Sequence, residues 1–127
     1  MFKSIDPEGI APPASAYHHA FHVTKASEWL FLSGQLGETA GGQCVDGAAA
    51  QARQAWKNVE AILAEAAMDF SNIVKVTSYI VGEENIEPYV AVHRELHRDV
   101  MPPWTLVVVK ALGQPEYLIE VDVQAAK

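Results

Sequence analysis

The last quarter of the chain constrains the fold most. From Met101-Pro102-Pro103 it runs through Trp104-Thr105-Leu106-Val107-Val108-Val109, turns between Ala111 and Glu116, and continues as Tyr117-Leu118-Ile119-Glu120-Val121-Asp122-Val123. The first run is apolar and β-branched on both faces, the composition of a strand covered on two sides, so it is expected in the middle of a sheet. The second run alternates. Tyr117, Ile119, Val121 and Val123 point one way, whereas Leu118, Glu120, Asp122 and Gln124 point the other. Glu120 and Asp122 then share a face at about 6.6 Å of rise, close enough to feel each other's charge. Two readings stay open: a solvated face whose acids keep a strand soluble, or a general acid/base.

A chain of 127 residues forms one domain, long enough to bury a core and too short for a second. No run reaches the roughly 20 apolar residues needed to cross a bilayer, and Met1-Phe2-Lys3-Ser4-Ile5-Asp6-Pro7 lacks the apolar segment and cleavage site of a secretory signal. A soluble, cytoplasmic protein without a membrane partner is expected. The single cysteine, Cys44, follows the loop Gly41-Gly42-Gln43, cannot form an internal disulfide, and has no expected base beside it. The formal charge is −7, and the nine Lys and Arg residues are scattered. A nucleic-acid binder presents a cationic surface to the phosphates, so this balance argues against polyanion recognition.

Taken in order, Pro12-Pro13-Ala14-Ser15-Ala16 is an extended lead-in. Tyr17 to Val23 is expected as a strand, with Tyr17, His19, Phe21 and Val23 on one face. His18 and His22 would stand about 13 Å apart along it, too far to share one ion, so hydrogen-bonded or solvated histidines are expected rather than a metal site. Trp29 to Leu36 suits a buried strand ending at a turn, where Gly34 lets the backbone approach a ligand or simply ends the strand. Asp46 is placed to cap a helix whose apolar positions recur along Ala48 to Ala67. Ile73 to Val81 reads as another strand closed by Gly82. A second helix starts near Asn85 or Glu87, with Pro88 in its first turn and Ile86, Tyr89, Val90, His93, Leu96 and Val100 along one side. His93 and His97 have zinc-ligand spacing, but Glu95 is one place too late for the metalloprotease motif. The order β, β, α, β, α, β, β predicts an α+β sheet with two helices on one face.

Several segments together resemble one family. They are Ala11-Pro12 ahead of Tyr17, Ser33-Gly34-Gln35 closing a strand, Gln51-Ala52-Arg53-Gln54-Ala55 with Asn58-Val59 on the first helix, Ile73-Val74-Lys75-Val76-Thr77, and Ile119-Glu120-Val121-Asp122. In order and spacing they resemble the RidA family, also called YjgF or reactive intermediate deaminase, nearly end to end. The resemblance implies a chorismate-mutase-like fold, assembled as a homotrimer around a central barrel with clefts between subunits. It also implies hydrolysis of small-molecule enamines and imines to 2-oxo acids and ammonia, as by 2-iminobutanoate/2-iminopropanoate deaminases, without a metal or organic cofactor.

Residue by residue, the family's catalytic glutamate falls on Glu120, its cleft tyrosine on Tyr17 and its cleft serine on Ser33, beside the Gly34 backbone. Archetypal members carry an arginine that grips the substrate carboxylate at the position of Trp104, which Thr105 and Leu106 follow, and His93 is an approximate match to a cleft asparagine. Tryptophan cannot form that bidentate pair. Either Trp104 walls a pocket for a larger or uncharged imine, or catalysis is lost and the trimer binds a small ligand or acts through partners; Trp104 as plain core packing is the third possibility. Arg94, Arg98 or Lys110 of a neighbouring subunit are candidates to replace the arginine. The endoribonuclease or translation-inhibitor activity of some relatives fits poorly with the charge and ranks last.

Overall fold

A computed structural model describes residues 2–127. The chain begins with β1 (Phe2–Ile5), which pairs antiparallel with β2 (Ala20–Val23) in a small sheet of its own. Next come β3 (Trp29–Phe31), β4 (Gln35–Leu36), α1 (Ala48–Glu65), β5 (Ile73–Val81), α2 (Ile86–His97), β6 (Trp104–Val109) and β7 (Ile119–Ala126). The main sheet runs β3-β7-β5-β6, with β4 also on β7. Among the described residues only the β5–β6 pairing, bridged by α2, is parallel. Both helices pack on one face of a mixed sheet, the α+β arrangement expected from the order of elements.

The core follows from the strand period of two. Val76, Ile80, Ile119 and Val121 are fully buried beneath the helices, where Ala52, Ala55, Trp56, Val59 and Leu63 of α1 meet them. The helix ends at Ala66, and Ala67 turns the chain through a positive φ of 53°. No helix among the described residues is long and apolar enough to cross a membrane.

Four expectations need correction. The run Trp104–Val109 is the edge strand β6, not a central one, and Val107 and Val108 are 37% and 44% exposed. An all-apolar strand has the same composition whether its second face is covered by its own chain or left open, so composition alone misplaces it. Trp29 to Leu36 is not one buried strand: it breaks at Leu32–Gly34 into β3 and β4, and Trp29 and Phe31 are 50% and 68% exposed. Tyr17 to Val23 is extended only from Ala20, because Asp6 pulls the preceding residues out of line. Its carboxylate contacts His18 Nδ1 at 2.6 Å and accepts from the His19 amide at 2.7 Å. That leaves both histidines hydrogen-bonded, His19 through Nε2 to the Ala11 carbonyl as well. Finally, α1 is preceded by Gly47 at φ 90° with no side-chain cap, so Asp46 does not cap it.

Candidate functional site

The alternation of β7 places Glu120 and Asp122 on the sheet face away from the helices, while their neighbours Ile119, Val121 and Val123 fill the core. Glu120 pairs with Tyr79 of β5, and Tyr79 in turn with Val107 of β6; Asp122 pairs with Thr77. At one end of this face lies an open cavity of about 570 Å³. Glu120, Asp122 and Tyr79 form its floor, the β3–β4 break supplies Leu32, Ser33 and Gly34, and Val109, Ala111 and Leu112 close the other side. Gly34 is there for a steric reason. A Cβ at this position would overlap the Glu120 carboxylate, so glycine lets the strand break lie against the carboxylate in its present position. Partial burial, and secondly the charge of Asp122, push the Glu120 pKa above the usual carboxylate range.

Two side chains of α1 tie down the segments that flank the cavity. Gln51, 2% exposed, donates through Nε2 to the carbonyls of Val45 (3.1 Å) and Glu116 (3.0 Å) and accepts from the Leu118 amide at 2.8 Å. It thereby fixes both the loop before α1 and the end of the 110–118 loop. The backbone passes so close that a Cβ on Gly37 would strike Gln51 itself. Asn58 donates to the carbonyls of Leu36 and Glu38, each at 3.0 Å, with Gln54 donating to its Oδ1. Near this clamp the Cys44 thiol pKa is pushed up by burial and then by Glu116, the opposite of an activated nucleophile.

The remaining expected residues assemble elsewhere. Trp104 turns its indole toward α2, where Nε1 donates to Ser78 Oγ at 2.9 Å and the ring stacks on His93 with centroids 3.7 Å apart at 13°. Ser78 donates to Tyr89 Oη at 2.5 Å, and that oxygen lies 3.4 Å from His93 Nδ1. Tyr17 packs edge-on against Trp104 at 6.1 Å and accepts from the Ala14 amide through its hydroxyl. Leu106 is on this helix side too, whereas Thr105 faces the other way and accepts from Lys75 Nζ at 2.8 Å. Within one chain, therefore, Glu120, Ser33 and Gly34 converge in the cavity, and Tyr17, Trp104, His93 and Leu106 form a separate cluster on the helix side.

One polar lining residue and one clamp residue behind the cavity escaped the sequence. Tyr79 was visible only as a strand residue, and its place follows from the cross-strand register with Glu120. Gln51 was legible as part of a recognisable segment but not as the clamp. His97 was likewise unexpected in the core. His93 and His97 are fully buried 4.6 Å apart, and His93 Nε2 and both His97 nitrogens have no hydrogen-bond partner. Burial, with the neighbouring His97 as a second cause for His93, pushes their pKa values down to about 2 and about 4.

The family model described as Endoribonuclease L-PSP matches residues 9–127. The chain belongs to this family, the Rid or YjgF/RidA family. Among its relatives, a RutC family protein of Aquifex aeolicus is 36% identical over 120 residues, 91% of each chain. The human 2-iminobutanoate/2-iminopropanoate deaminase is 32% identical over 85 residues, which cover 65% of this chain and 62% of that protein. A crystal structure of a Rid-family protein of unknown function from Yersinia pestis superposes with a TM-score of 0.87 at 25% identity, covering 99% of this chain and 98% of that one. This Rid fold is the two-helix mixed sheet described above.

Proposed function

We propose that the Glu120 cavity hydrolyses a reactive imine to a carbonyl compound and ammonia. The observation that carries this reading is the Glu120 carboxylate, partly desolvated, raised above its usual pKa and held against Gly34 on the floor of a cavity. Hydrolysis of a C=N bond needs a water deprotonated beside the electrophilic carbon, which a carboxylate within hydrogen-bond reach performs. Glu120 takes a proton from that water as the C–O bond forms, then returns it to nitrogen as the C–N bond breaks. Ser33 is the neighbouring hydroxyl able to donate to the substrate. The human deaminase among the relatives supports the reaction class, and the chemistry calls for no resident metal or organic cofactor.

Trp104 changes specificity in this proposal, since its indole is committed to Ser78 and His93 and offers no cation to a substrate carboxylate. Homotrimeric assembly belongs to the same reading. The stacked, exposed Trp29–Phe31 pair and the exposed Val107 and Val108 supply apolar surface for a neighbouring copy, and a shared cleft would bring the partly exposed Tyr17 and Trp104 of one subunit toward the Glu120 of another, with His93 buried behind Trp104. Light scattering tests this, and a monomer overturns the shared cleft.

The activity test is ammonia release from imines generated in situ by an amino-acid oxidase, over small, acidic, aromatic and uncharged side chains. Turnover that disappears in Glu120→Gln is the expected result. No turnover across the panel would favour the second reading, a ligand-binding trimer without catalysis, to which the packing of the partly buried Trp104 on His93 of α2 also lends support. An RNA-directed activity stays last, given the net charge of −7.

A further inference from the structure

We propose that the Glu120 cavity prefers cationic imines that carry no carboxylate, the protonated aldimines and ketimines of simple amines, over 2-imino acids. This rests on the hydrolytic reading of the same cavity and adds the sign of the ligand's charge. The charged side chains that one subunit supplies to the cavity lining are Glu120 and Asp122, both negative and two residues apart on one strand. The other polar side chains there are the hydroxyls of Ser33 and Tyr79. Lys75 shares the open face, but its ammonium is turned to Thr105 Oγ1 at 2.8 Å and is not part of the lining.

A carboxylate entering this space meets two like charges in a partly dry place, an arrangement that excludes a ligand more effectively than a missing contact does. A cation meets two opposite charges and the ring of Tyr79, which pairs with Glu120 across the sheet and adds a π surface of the sign that attracts cations. A protonated imine also carries two N–H donors on its nitrogen, one for each carboxylate, in charge-assisted hydrogen bonds. The reaction balances: one iminium cation and one water give one neutral carbonyl compound and one ammonium ion. The water oxygen bonds to carbon, the C–N electron pair leaves on nitrogen, both water protons end there by way of Glu120, and ammonium carries the positive charge away.

Matched substrates test the preference. Leucine with an amino-acid oxidase and 3-methylbutylamine with an amine oxidase give imines of the same side chain with and without the carboxylate, followed with semicarbazide as competing trap. The expected kcat/KM is at least tenfold higher without the carboxylate, and Asp122→Asn lowers that ratio at least threefold. Equal or higher kcat/KM for the imino acid overturns the proposal. Calorimetry at low salt with 3-methylbutylammonium and 4-methylpentanoate reads the same preference without turnover. Ammonium binding at least tenfold tighter, and weakened by Glu120→Gln, supports the charge preference even where no imine is hydrolysed, in which case only the hydrolytic reading fails. Tighter carboxylate binding, or binding of neither ion, overturns the preference.

Discussion

The two faces of the main sheet are built from the same strands and do opposite things. Toward the helices, Ile119, Val121 and Ile80 are fully buried and meet Trp56, Val59 and Leu63. Away from them, Glu120, Asp122, Tyr79 and Thr105 stay partly or fully accessible, and the cavity opens. Titratable groups on the covered face are neutralised: the His93–His97 pair is held uncharged by burial. On the open face, Glu120 is perturbed yet remains within reach of a ligand. A perturbed pKa thus marks stability on one side and chemistry on the other, and accessibility decides which.

If this division holds, the largest effect comes from the covered face. Trp56→Ala removes a side chain 1% exposed and should cost about 3–5 kcal/mol in urea unfolding, while ligand affinity of the folded fraction stays unchanged. Loss of that affinity would break the division. Acid should act through the same face. Both histidines have folded pKa values below the unfolded 6.5, so the unfolded state binds more protons; stability is complete above pH 6.5 and is lost as pH falls through the folded values. Between pH 7 and pH 5 each contributes about 2 kcal/mol of destabilisation. Replacing His97 by phenylalanine should flatten the pH dependence of unfolding by about half.

The open face should answer in rate rather than stability. Glu120→Gln is expected to lower kcat by about 100-fold or more with Tm moved by no more than about 2 °C. The active form is the carboxylate, so the wild-type rate should fall as pH drops through a value above the ordinary carboxylate range. Asp122→Asn should move that inflection down, because the Asp122 charge is one of the causes holding it up. The smallest effect is expected of Gly34→Ala, whose Cβ displaces the Glu120 carboxylate: about tenfold in kcat, and about 1–3 kcal/mol if the strand break shifts instead. The ratio of those losses measures how rigidly the cavity wall is held.

Local pattern carried much of this architecture. The boundaries of β5 match Ile73–Val81, and the alternation that put Glu120 and Asp122 on one face of β7 is the alternation found. Pattern failed where a neighbour decides. β1 has four residues and exists through its register with β2; β6 sits at an edge although its composition reads as central; and a three-residue break, Leu32–Gly34, interrupts a run that looks continuous. The site was legible to the same extent. Glu120, Ser33 and Gly34 meet because one strand and one break adjoin, but the direction in which Trp104 turns depends on Ser78 and His93, which lie far from it in sequence.

Gln51 suggests how such a scaffold diversifies. By gripping Val45, Glu116 and Leu118 at once, it anchors the far end of the 110–118 loop to a helix, while Ala111 and Leu112, which touch the cavity, lie upstream of that anchor. Substitutions at those two positions would reshape what the cavity admits without disturbing the strands on either side. The loop is a replaceable cartridge in a fixed holder, and exchanging it between relatives is a route to new selectivity that leaves Glu120 in place.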